Sequence, residues 1–437
     1  ERGAHHFEIT TVADTLELRL VFTQKPAPQE IPSIQESLMA CKKHWEHFWT
    51  HGGFVNIPNG GAQGTELMRR IILSQYQTAI NCSGSLPPQE TGLVMNSWYG
   101  KFHLEMHYWH AAHFASWGRP ELLKKSLWYY QSILPKAIEL ASSQGYKGAR
   151  WPKMTDASGV DSPSPIGPLL IWQQPHPLYY AELIYRACPT RDVLECYLEI
   201  VLKTAEFMAD YVRWDEDRKC YVLGPGMIPS QENHKPNIVM NPPYELEYWA
   251  YGLHTANEWL KRLGEPINEE WERIASYMAP APVKEGLYLA HENCPDTYTE
   301  LFNRDHPSMV AAMGMLPGKS IDSAIMENTL KKVLTGGWRM DEIWGWDFPM
   351  LAMCAARLGL PQTAVECLLY DSSKNVYLNN GHNKQADRAD IPCYLPGNGA
   401  LLLAVGLMCA GWDGCEEETP GFPKDWNVEW EDILPLP

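Results

Sequence analysis

LYYAELIYRACPTRDVLECYLEIVLKTAEFMADYV, residues 178–212, contains two helical patterns separated by a short turn. Cys188, Pro189 and Thr190 supply the turn signal between them. Two helices joined by so short a turn run antiparallel, so this stretch predicts a helical hairpin. In its second half, apolar residues recur every three or four positions, as in an amphipathic helix; they are Leu194, Leu198, Val201, Leu202, Ala205 and Met208.

Paired helices of the same kind recur along most of the chain. A short join with Gly or Pro follows every second helix, whereas the other joins are long, polar and aromatic. This alternation places the short turns at one end of the assembly and the long loops at the other. Six such hairpins predict an all-α fold, an (α/α)6 barrel, with an open helical solenoid as the alternative. The twelve predicted helices span residues 65–82, 104–117, 120–142, 169–187, 191–212, 243–263, 268–278, 307–316, 321–334, 348–358, 361–369 and 399–410.

The first sixty residues carry a different pattern. Leu16, Leu18, Leu20 and Phe22 alternate with polar side chains, which predicts a β-strand over residues 15–23. Because one strand makes no stable sheet, we expect residues 1–25 to be the end, or a remnant, of a β-domain. The further expected divisions are a linker with a helix capped by Ser33 over residues 26–60, the barrel over 61–415 and a C-terminal tail over 416–437.

Composition excludes several classes of function. The formal charge is −17, from 36 basic and 53 acidic residues, and no Lys/Arg-rich run is present, so a nucleic-acid partner is not expected. No apolar run approaches the length of a membrane span, and the 11 cysteines show no CxxC pair or zinc-finger spacing. The sequence begins with Glu1, which suggests processing or a fragment. A secreted or periplasmic location is favoured if a signal was removed, and a cytoplasmic location is the alternative. Oligomeric state is not indicated.

Polar chemistry is concentrated in residues 221–249, where Glu232, Asn233, His234 and Lys235 stand together. Prolines flank this run on both sides, so a long ordered loop between two helices is predicted. Long loops without secondary structure are often functional, although a solvated surface loop is the alternative.

The other five long loops also combine polar groups with aromatic rings. With 18 Trp and 21 Tyr, the chain holds more rings than core packing normally needs, and flat rings suit contact with sugars. Paired carboxylates suit cleavage of a glycosidic bond, where one acid protonates the leaving oxygen and a second group activates water. The candidate residues in these loops are Asn96, Trp98, Tyr99, Lys101, His103 and Glu105; Arg150, Trp151 and Lys153; His291, Asp296, Asp305 and His306; Trp338, Arg339, Trp344, Trp346 and Asp347; and Asp390.

Three short motifs resemble the six-hairpin glycosidases, especially glycoside hydrolase families 95 and 65. They are WYGK at 98–101 followed by EMHYW at 105–109, GYKGARWP at 145–152, and PSQEN at 229–233, and the similarity covers roughly residues 65–414. The resemblance implies an (α/α)6 barrel behind an amino-terminal β-sandwich and an inverting mechanism. It also implies that Glu232 is the general acid, because the acid of these families lies in the loop after the fifth helix.

The same resemblance leaves the catalytic base open. In the fucosidase-like family, two Asn residues near the second helix position the water, and an Asp before the last helix activates them. Here Lys101 and His103 occupy the Asn positions, and no Asp stands at the matching place before the last helix. The base candidates are therefore Asp390, Asp347 and Glu105.

These observations lead to the hypothesis of an enzyme that hydrolyses a terminal glycosidic bond of an oligosaccharide or polysaccharide. Glu232 would be the acid, Asp390 or Asp347 the base, and His103 a further residue of the catalytic set. Asn233 and His234 would orient hydroxyl groups. Sugar binding is assigned to Trp98, Tyr99, Lys101, Glu105, Arg150, Trp151, Lys153, Asn233, His234, Trp338, Arg339, Trp344 and Trp346.

Two other functions fit the same barrel. A polysaccharide lyase would cleave next to a uronic acid by β-elimination, with a cation to neutralise the carboxylate and a residue such as His103, His234 or Tyr99 to take the proton. A carbohydrate-binding protein without catalytic activity would keep the aromatic rings and tolerate the loss of Glu232. No cofactor is expected, and because the His/Glu cluster near His103 lacks an HExxH order, no metal is expected either. The cations available to a lyase are Arg150, Lys153, Arg304 and Arg339.

Overall fold

The computed structural model describes residues 3–4, 6–23, 26, 28, 30–386 and 388–437. The chain divides into two compact units, Glu1–Gly52 and Gly53–Pro437. None of the helices in the described residues is both long and apolar enough to cross a membrane.

The first unit contains helix α1, Ile34–Thr50, where the sequence predicted a helix capped by Ser33. The hydroxyl of Ser33 accepts the amide N–H of Glu36 at 3.2 Å, and the amide N–H of Ser33 donates to the Glu36 carboxylate at 2.7 Å. This reciprocal capping box explains why the helix begins there. The capping prediction is confirmed.

The strand predicted over residues 15–23 is wrong. These residues form no strand, and their side chains are exposed, with Leu20 at 69% and Phe22 at 94%. A strand requires a paired neighbour, and the one β-bridge among the described residues of this unit joins Gly3 and His6. Alternation of side chains alone therefore did not produce a sheet here.

The described residues of the second unit contain twelve α-helices, one at each place where the sequence predicted a helix. The agreement confirms a mostly helical fold. Their bounds are α2 Gly61–Asn81, α3 His107–Ser116, α4 Pro120–Ser143, α5 His176–Ala187, α6 Arg191–Tyr211, α7 Pro243–Leu263, α8 Glu269–Ser276, α9 Ala311–Gly314, α10 Ser323–Lys332, α11 Asp347–Arg357, α12 Pro361–Leu368 and α13 Leu395–Ala410.

Several boundaries differ from the predicted ones. Helix α5 begins seven residues late, because Leu169 ends a 3₁₀ helix, residues 172–175 form a turn and Pro175 stands at the N-cap of α5. Helix α13 begins four residues early, since Pro396 is accommodated in the first turn, where its missing N–H costs no hydrogen bond. Helix α9 is a single turn preceded by the 3₁₀ turn Ser308–Val310.

Six of the helices are enclosed by the others. Helix α3 contacts α5, α5 contacts α7, α7 contacts α9, α9 contacts α11, α11 contacts α13, and α13 contacts α3. In α13 every residue from Leu395 to Cys409 is buried, as expected for a helix surrounded by protein on all sides. Helices α2, α4, α6, α8, α10 and α12 pack on this set, and each exposes one face.

A close approach of two enclosed helices depends on a glycine. Gly399 of α13 faces the backbone of α3, and a Cβ atom at this position would collide with the carbonyl oxygen of Trp109. Glycine therefore allows α13 and α3 to pack at the distance seen here.

Ten short strands form five antiparallel pairs in the described part of the second unit. The pair most relevant to function is β2 with β3, which places Phe102 opposite Thr155 and His103 opposite Met154. It ties the loop after α2 to the loop after α4. The pairs are β1 Phe54–Asn56 with β10 Glu429–Glu431, β2 Phe102–His103 with β3 Met154–Thr155, β4 Arg213–Asp215 with β5 Cys220–Val222, β6 Val283–Lys284 with β7 Leu287–Tyr288, and β8 Val376–Tyr377 with β9 Asn383–Lys384.

Candidate active site

A cavity of about 170 Å³ lies where the six long loops meet. The loops that follow α2, α4, α6, α8, α10 and α12 each contribute at least one lining residue. This convergence follows from the alternation of short and long joins, which puts all the long loops at one end of the helices. The lining residues are Glu90, Trp98, His103, Glu105, Met106, Lys153, Met154, Glu232, Asp305, His306, Trp344 and Tyr394.

Glu232 enters the cavity beside an ammonium group. The Nζ atom of Lys153 donates to Oε1 of Glu232 at 2.5 Å and lies 3.7 Å from Oε1 of Glu105. Burial raises the pKa of Glu232, whereas the Lys153 ammonium opposes the rise. A carboxyl group whose pKa is raised holds its proton to higher pH, which is the property required of a general acid.

The charge of Lys153 is preserved by three carboxylates. Burial would lower the pKa of Lys153, but Glu105, Glu232 and Glu90 outweigh burial and raise it. The lysine is therefore a permanent cation in the cavity wall.

His103 sits between two buried carboxylates. Its Nδ1 atom lies 2.8 Å from Oε1 of Glu90 and 3.5 Å from Oε1 of Glu105, and all three side chains are almost fully enclosed. Burial would lower the pKa of His103, but the two carboxylates outweigh burial and raise it to about 9. His103 is thus a second cation of the cavity, and its backbone is held by the antiparallel pair of strands β2 and β3.

His306 forms a similar arrangement in the wall of the same cavity. The Nδ1–H group donates to Oδ2 of Asp347 at 2.9 Å, and Nε2 lies 3.4 Å from Oδ1 of Asp305. Burial would lower the pKa of His306, but Asp305 and Asp347 outweigh burial and raise it to about 9. Asp305 also accepts the backbone N–H of Glu232 at 3.0 Å, so it fixes the backbone of the candidate acid.

Raised histidine pKa values predict a loss of stability at alkaline pH. His103 and His306 have folded-state pKa values of about 9 against 6.5 when unfolded, so their contribution is complete below pH 6.5 and is lost as pH rises through 9. We expect the free energy of unfolding to fall between pH 6.5 and 9.5, on the order of 2 kcal/mol for each histidine. Denaturant titrations at both pH values measure this change.

His103→Gln and His306→Gln are the control variants for this pH dependence. Each should remove its own share of the fall between pH 6.5 and 9.5, because a glutamine does not titrate. An unfolding free energy that stays constant or increases over this range in the unaltered chain would contradict the assigned charges.

Six of the residues to which the sequence assigned a role line the cavity. The long loops bring together residues that are far apart in the chain. These six are Trp98, His103, Glu105, Lys153, Glu232 and Trp344.

Three of the tryptophans proposed for sugar contact are instead buried. Trp151 is fully enclosed, and its Nε1–H donates to Thr204 at 2.9 Å. Trp338 is 3% exposed, and its Nε1–H donates to the carbonyl of Asp305 at 2.8 Å. Trp346 is buried and stacks on His306 with ring centroids 4.2 Å apart. The sequence alone does not distinguish aromatic rings that are buried in the protein from rings that line a cavity.

Three charged candidates lie outside the cavity. Arg150 is buried and donates to the backbone carbonyls of Leu170 and Pro168. Arg339 is paired with Glu342 at the surface. Asp390 is exposed and paired with Arg388, which lowers the pKa of the Asp390 carboxyl group. Asp347 is close to the cavity but does not line it, because His306 lies between.

The remaining candidates surround the cavity at greater distance. Tyr99 is 91% exposed, and Lys101 stands 5.6 Å from the centre of its ring. His234 packs flat on Phe302, and burial lowers the pKa of His234 to about 3. The polar side-chain atoms of Asn233 are buried and have no hydrogen-bond partner in the described structure.

Sequence reasoning did not identify Glu90 as a site residue. Glu90 is 4% exposed and stands in the loop segment LPPQET, where Pro87 and Pro88 are the sequence signal for an ordered loop. Asp305 and His306 were recognised as polar loop residues without a role. Their pairing with Glu232 and Asp347 depends on contacts between different loops, which the sequence does not contain.

Comparison with known proteins gives similarity in structure only. No protein-family model and no curated protein sequence matches this chain. A protein assigned as a kojibiose phosphorylase from the human microbiome is similar in structure, with a TM-score of 0.69, 10% identity, and coverage of 87% of this chain and 59% of that one. A glycosidase variant in complex with glucose matches at TM-score 0.58 and 12% identity, over 79% of this chain and 98% of that one.

A bacterial glucoamylase complexed with acarbose matches at TM-score 0.51 and 15% identity, over 90% of this chain and 60% of that one. The chain has the six-hairpin glycosidase fold. This finding confirms the resemblance noted in the sequence. The chain spans only about three fifths of the length of the phosphorylase and of the glucoamylase.

Proposed function

We propose that this protein cleaves a terminal glycosidic bond of a glycan in the cavity between the six long loops. The observation that carries the proposal is Glu232, a carboxyl group with a raised pKa at the wall of a cavity that also holds three other carboxylates. Structural neighbours named as a phosphorylase, a glycosidase and a glucoamylase, two of them complexed with glucose or acarbose, support a carbohydrate ligand.

We infer that residues 61–415 form an (α/α)6 barrel. The ring of contacts through α3, α5, α7, α9, α11 and α13 supports this architecture, with the other six helices as the outer layer. In that arrangement the cavity is the mouth of the barrel. A small cavity of this kind favours removal of one terminal sugar over cleavage within a long chain.

Glu232 is assigned as the general acid. It would protonate the glycosidic oxygen as the bond to the sugar breaks. Two contacts fix the position of Glu232. Its backbone N–H donates to the carboxylate of Asp305, and its own carboxylate accepts a hydrogen bond from Lys153. A substrate that displaces Lys153 from Glu232 removes the charge that lowers the pKa of Glu232, and so favours the protonated acid.

The base is assigned to a carboxylate of the cavity wall. Asp390 is exposed and paired with Arg388, and Asp347 is separated from the cavity by His306, so neither reaches a water molecule next to the sugar. Glu105 and Asp305 both line the cavity. We therefore propose one of these two as the water-activating group of an inverting hydrolysis, in place of Asp390 or Asp347.

Sugar contact is proposed for the rings that the cavity exposes. Trp98 and Trp344 line it and are partly exposed, so each offers a face or an edge to a sugar. Tyr99, beside the mouth, would contact the leaving group. This set replaces Trp151, Trp338 and Trp346, which are buried.

The lyase alternative receives less support. Of its proposed cations, Arg150 is bound to backbone carbonyls, Arg339 is paired with Glu342, and Arg304 is exposed outside the cavity. Lys153 alone lines the cavity among them, and it is already shared by Glu232 and Glu105. A free cation for a substrate carboxylate is therefore missing from this set.

A panel of oligosaccharides, assayed with and without inorganic phosphate, tests the proposal. We expect a released monosaccharide in the phosphate-free arm, and NMR of the first product should show an inverted anomer. A sugar 1-phosphate formed only with phosphate would indicate phosphorolysis by the same acid. An unsaturated uronide would establish the lyase, and binding without any product would establish a non-catalytic protein.

Removing the Lys153 charge should shift the pH dependence of catalysis. The ammonium opposes the burial that raises the pKa of Glu232, so in Lys153→Met this pKa rises further. Because the acid must be protonated, the alkaline limb of kcat/KM should move to higher pH. The control is Lys136→Met on the exposed face of α4, which should leave the limb in place. If the alkaline limb of kcat/KM in Lys153→Met stays in place or moves to lower pH, the result argues against Glu232 as the acid.

A further inference from the structure

A second cluster of chemically competent side chains lies outside the cavity. His234 comes from the loop after α6, and His291 and Cys294 from the loop after α8. One ring nitrogen of each histidine and the Sγ atom of Cys294 all lie within 4.8 Å of one another. The three residues are 6%, 1% and 1% exposed. Neutral imidazole and thiolate sulfur are the ligands that zinc prefers in proteins.

We propose that His234, His291 and Cys294 bind a zinc ion, with the carboxylate of Asp296 as the fourth ligand. The Sγ atom of Cys294 lies 3.8 Å from Oδ1 of Asp296, so this carboxylate borders the cluster. Two nitrogens, one sulfur and one oxygen make a tetrahedral set suited to Zn²⁺. Cys294 binds as the thiolate, and its proton is released to solvent.

A neighbouring residue fixes the tautomer of the His234 ring. The Nε2–H group of His234 donates to Oε1 of Gln231 at 2.9 Å, which leaves the lone pair on Nδ1. Gln231 is itself fixed, because its amide donates to the backbone carbonyls of Phe302 and Arg304. A second hydrogen bond of this kind on a ligating histidine holds both tautomer and orientation.

His291 and Cys294 are held by one tight turn. The backbone N–H of Cys294 donates to the carbonyl of His291 at 3.0 Å, so both side chains project from neighbouring positions of the same turn. The backbone N–H of Asn293 donates to Nδ1 of His291 at 3.2 Å. Zinc bound to Nδ1 takes the place of this N–H donor. Zinc bound to Nε2 leaves the ring proton on Nδ1, which then no longer accepts the hydrogen bond. In either case zinc displaces one long hydrogen bond and no ion pair.

Bound zinc would join two loops that reach the cavity. His234 stands two residues after Glu232, and the loop with His291 and Cys294 continues to Asp305. These loops are already linked by the hydrogen bond from Glu232 to Asp305. Bound zinc would thus hold together the backbones of two loops that contribute to the cavity wall. The proposal does not rest on glycosidase activity, and its test does not use it.

Cobalt binding to the whole chain tests the proposal. The protein, purified with zinc in the medium and no chelator, should contain about one zinc ion per chain by elemental analysis. After removal of zinc and addition of Co²⁺, a cobalt–thiolate charge-transfer band should appear. Cys294→Ser should lose both the band and the zinc, whereas Cys367→Ser, a buried cysteine of α12, should keep both.

Two outcomes overturn the proposal. One is a chain that retains its secondary structure yet binds less than a tenth of an equivalent of zinc. The other is a cobalt band that persists in Cys294→Ser. If Cys294→Ser does not fold, His291→Asn is used in its place, and zinc-dependent protection of Cys294 from thiol alkylation in the unaltered chain gives an independent readout. Equal alkylation with and without zinc counts against the site.

Discussion

Glu232→Gln is expected to lower kcat by about 10²–10⁴-fold, because an amide has the shape of the carboxylic acid but no proton to give to the leaving oxygen. The ion pair with Lys153 becomes a hydrogen bond to the amide oxygen, and the backbone N–H to Asp305 is unaffected. The fold should therefore persist. Steady-state kinetics on the best substrate of the panel, with a melting curve for each protein, make the measurement.

The matched control is Asp390→Asn. Asp390 was a base candidate from sequence, but it is exposed at the surface and paired with Arg388, so its loss should change kcat by less than about two-fold. A Glu232→Gln enzyme with unaltered kcat would remove Glu232 from the role of acid. A large effect of Asp390→Asn would instead return the base to the loop before α13.

Substrates with better leaving groups sharpen the same experiment. A leaving group that departs without protonation does not need the general acid, so an activated aryl glycoside should restore much of the rate in Glu232→Gln. The Glu105 and Asp305 variants should show no such restoration, because a base acts on water and not on the leaving group. This contrast separates the acid from the base without reference to pH.

The helices were predictable from sequence because their signal is local. Apolar spacing and turn residues located all twelve helices of the second unit, and the alternation of join lengths correctly predicted that the long loops share one end. The strand over residues 15–23 failed for the opposite reason. Pairing with a neighbour is a long-range property, and alternation of Leu16, Leu18 and Leu20 does not supply the neighbour.

The candidate site was only partly predictable. Glu232 and Lys153 were found because carboxylates and cations concentrate in the long loops, and these two meet at 2.5 Å. Trp338 and Trp346 were assigned to sugar, yet one binds the backbone of Asp305 and the other packs on His306. The sequence does not show whether a tryptophan in a polar loop contacts a ligand or packs against another residue that contacts the ligand.

Asp347→Ala is expected to destabilise the protein by about 3–5 kcal/mol, the cost of breaking a buried ion pair by removing one of its members. His306 is 6% exposed and its pKa is raised to about 9, so at pH 7 it is an imidazolium whose Nδ1–H donates to Asp347. Asp347 also accepts the backbone N–H of Trp344 at 2.7 Å, at the first turn of α11. Denaturant unfolding at pH 7 measures the loss.

Asp341→Ala, an exposed carboxylate six residues earlier in the same loop, is the control and should cost less than about 0.5 kcal/mol. The pairing itself is tested by a double-mutant cycle with His306→Gln, because the double variant contains neither charge. If the cost of Asp347→Ala comes from a stranded imidazolium, His306→Gln should recover part of it, and the coupling free energy should reach about 1–3 kcal/mol. Additive losses would mean that Asp347 stabilises the loop through the Trp344 amide and not through His306. In that case Asp305, and not Asp347, would be the carboxylate that stabilises the His306 imidazolium. The predicted fall in stability above pH 6.5 would then depend on Asp305.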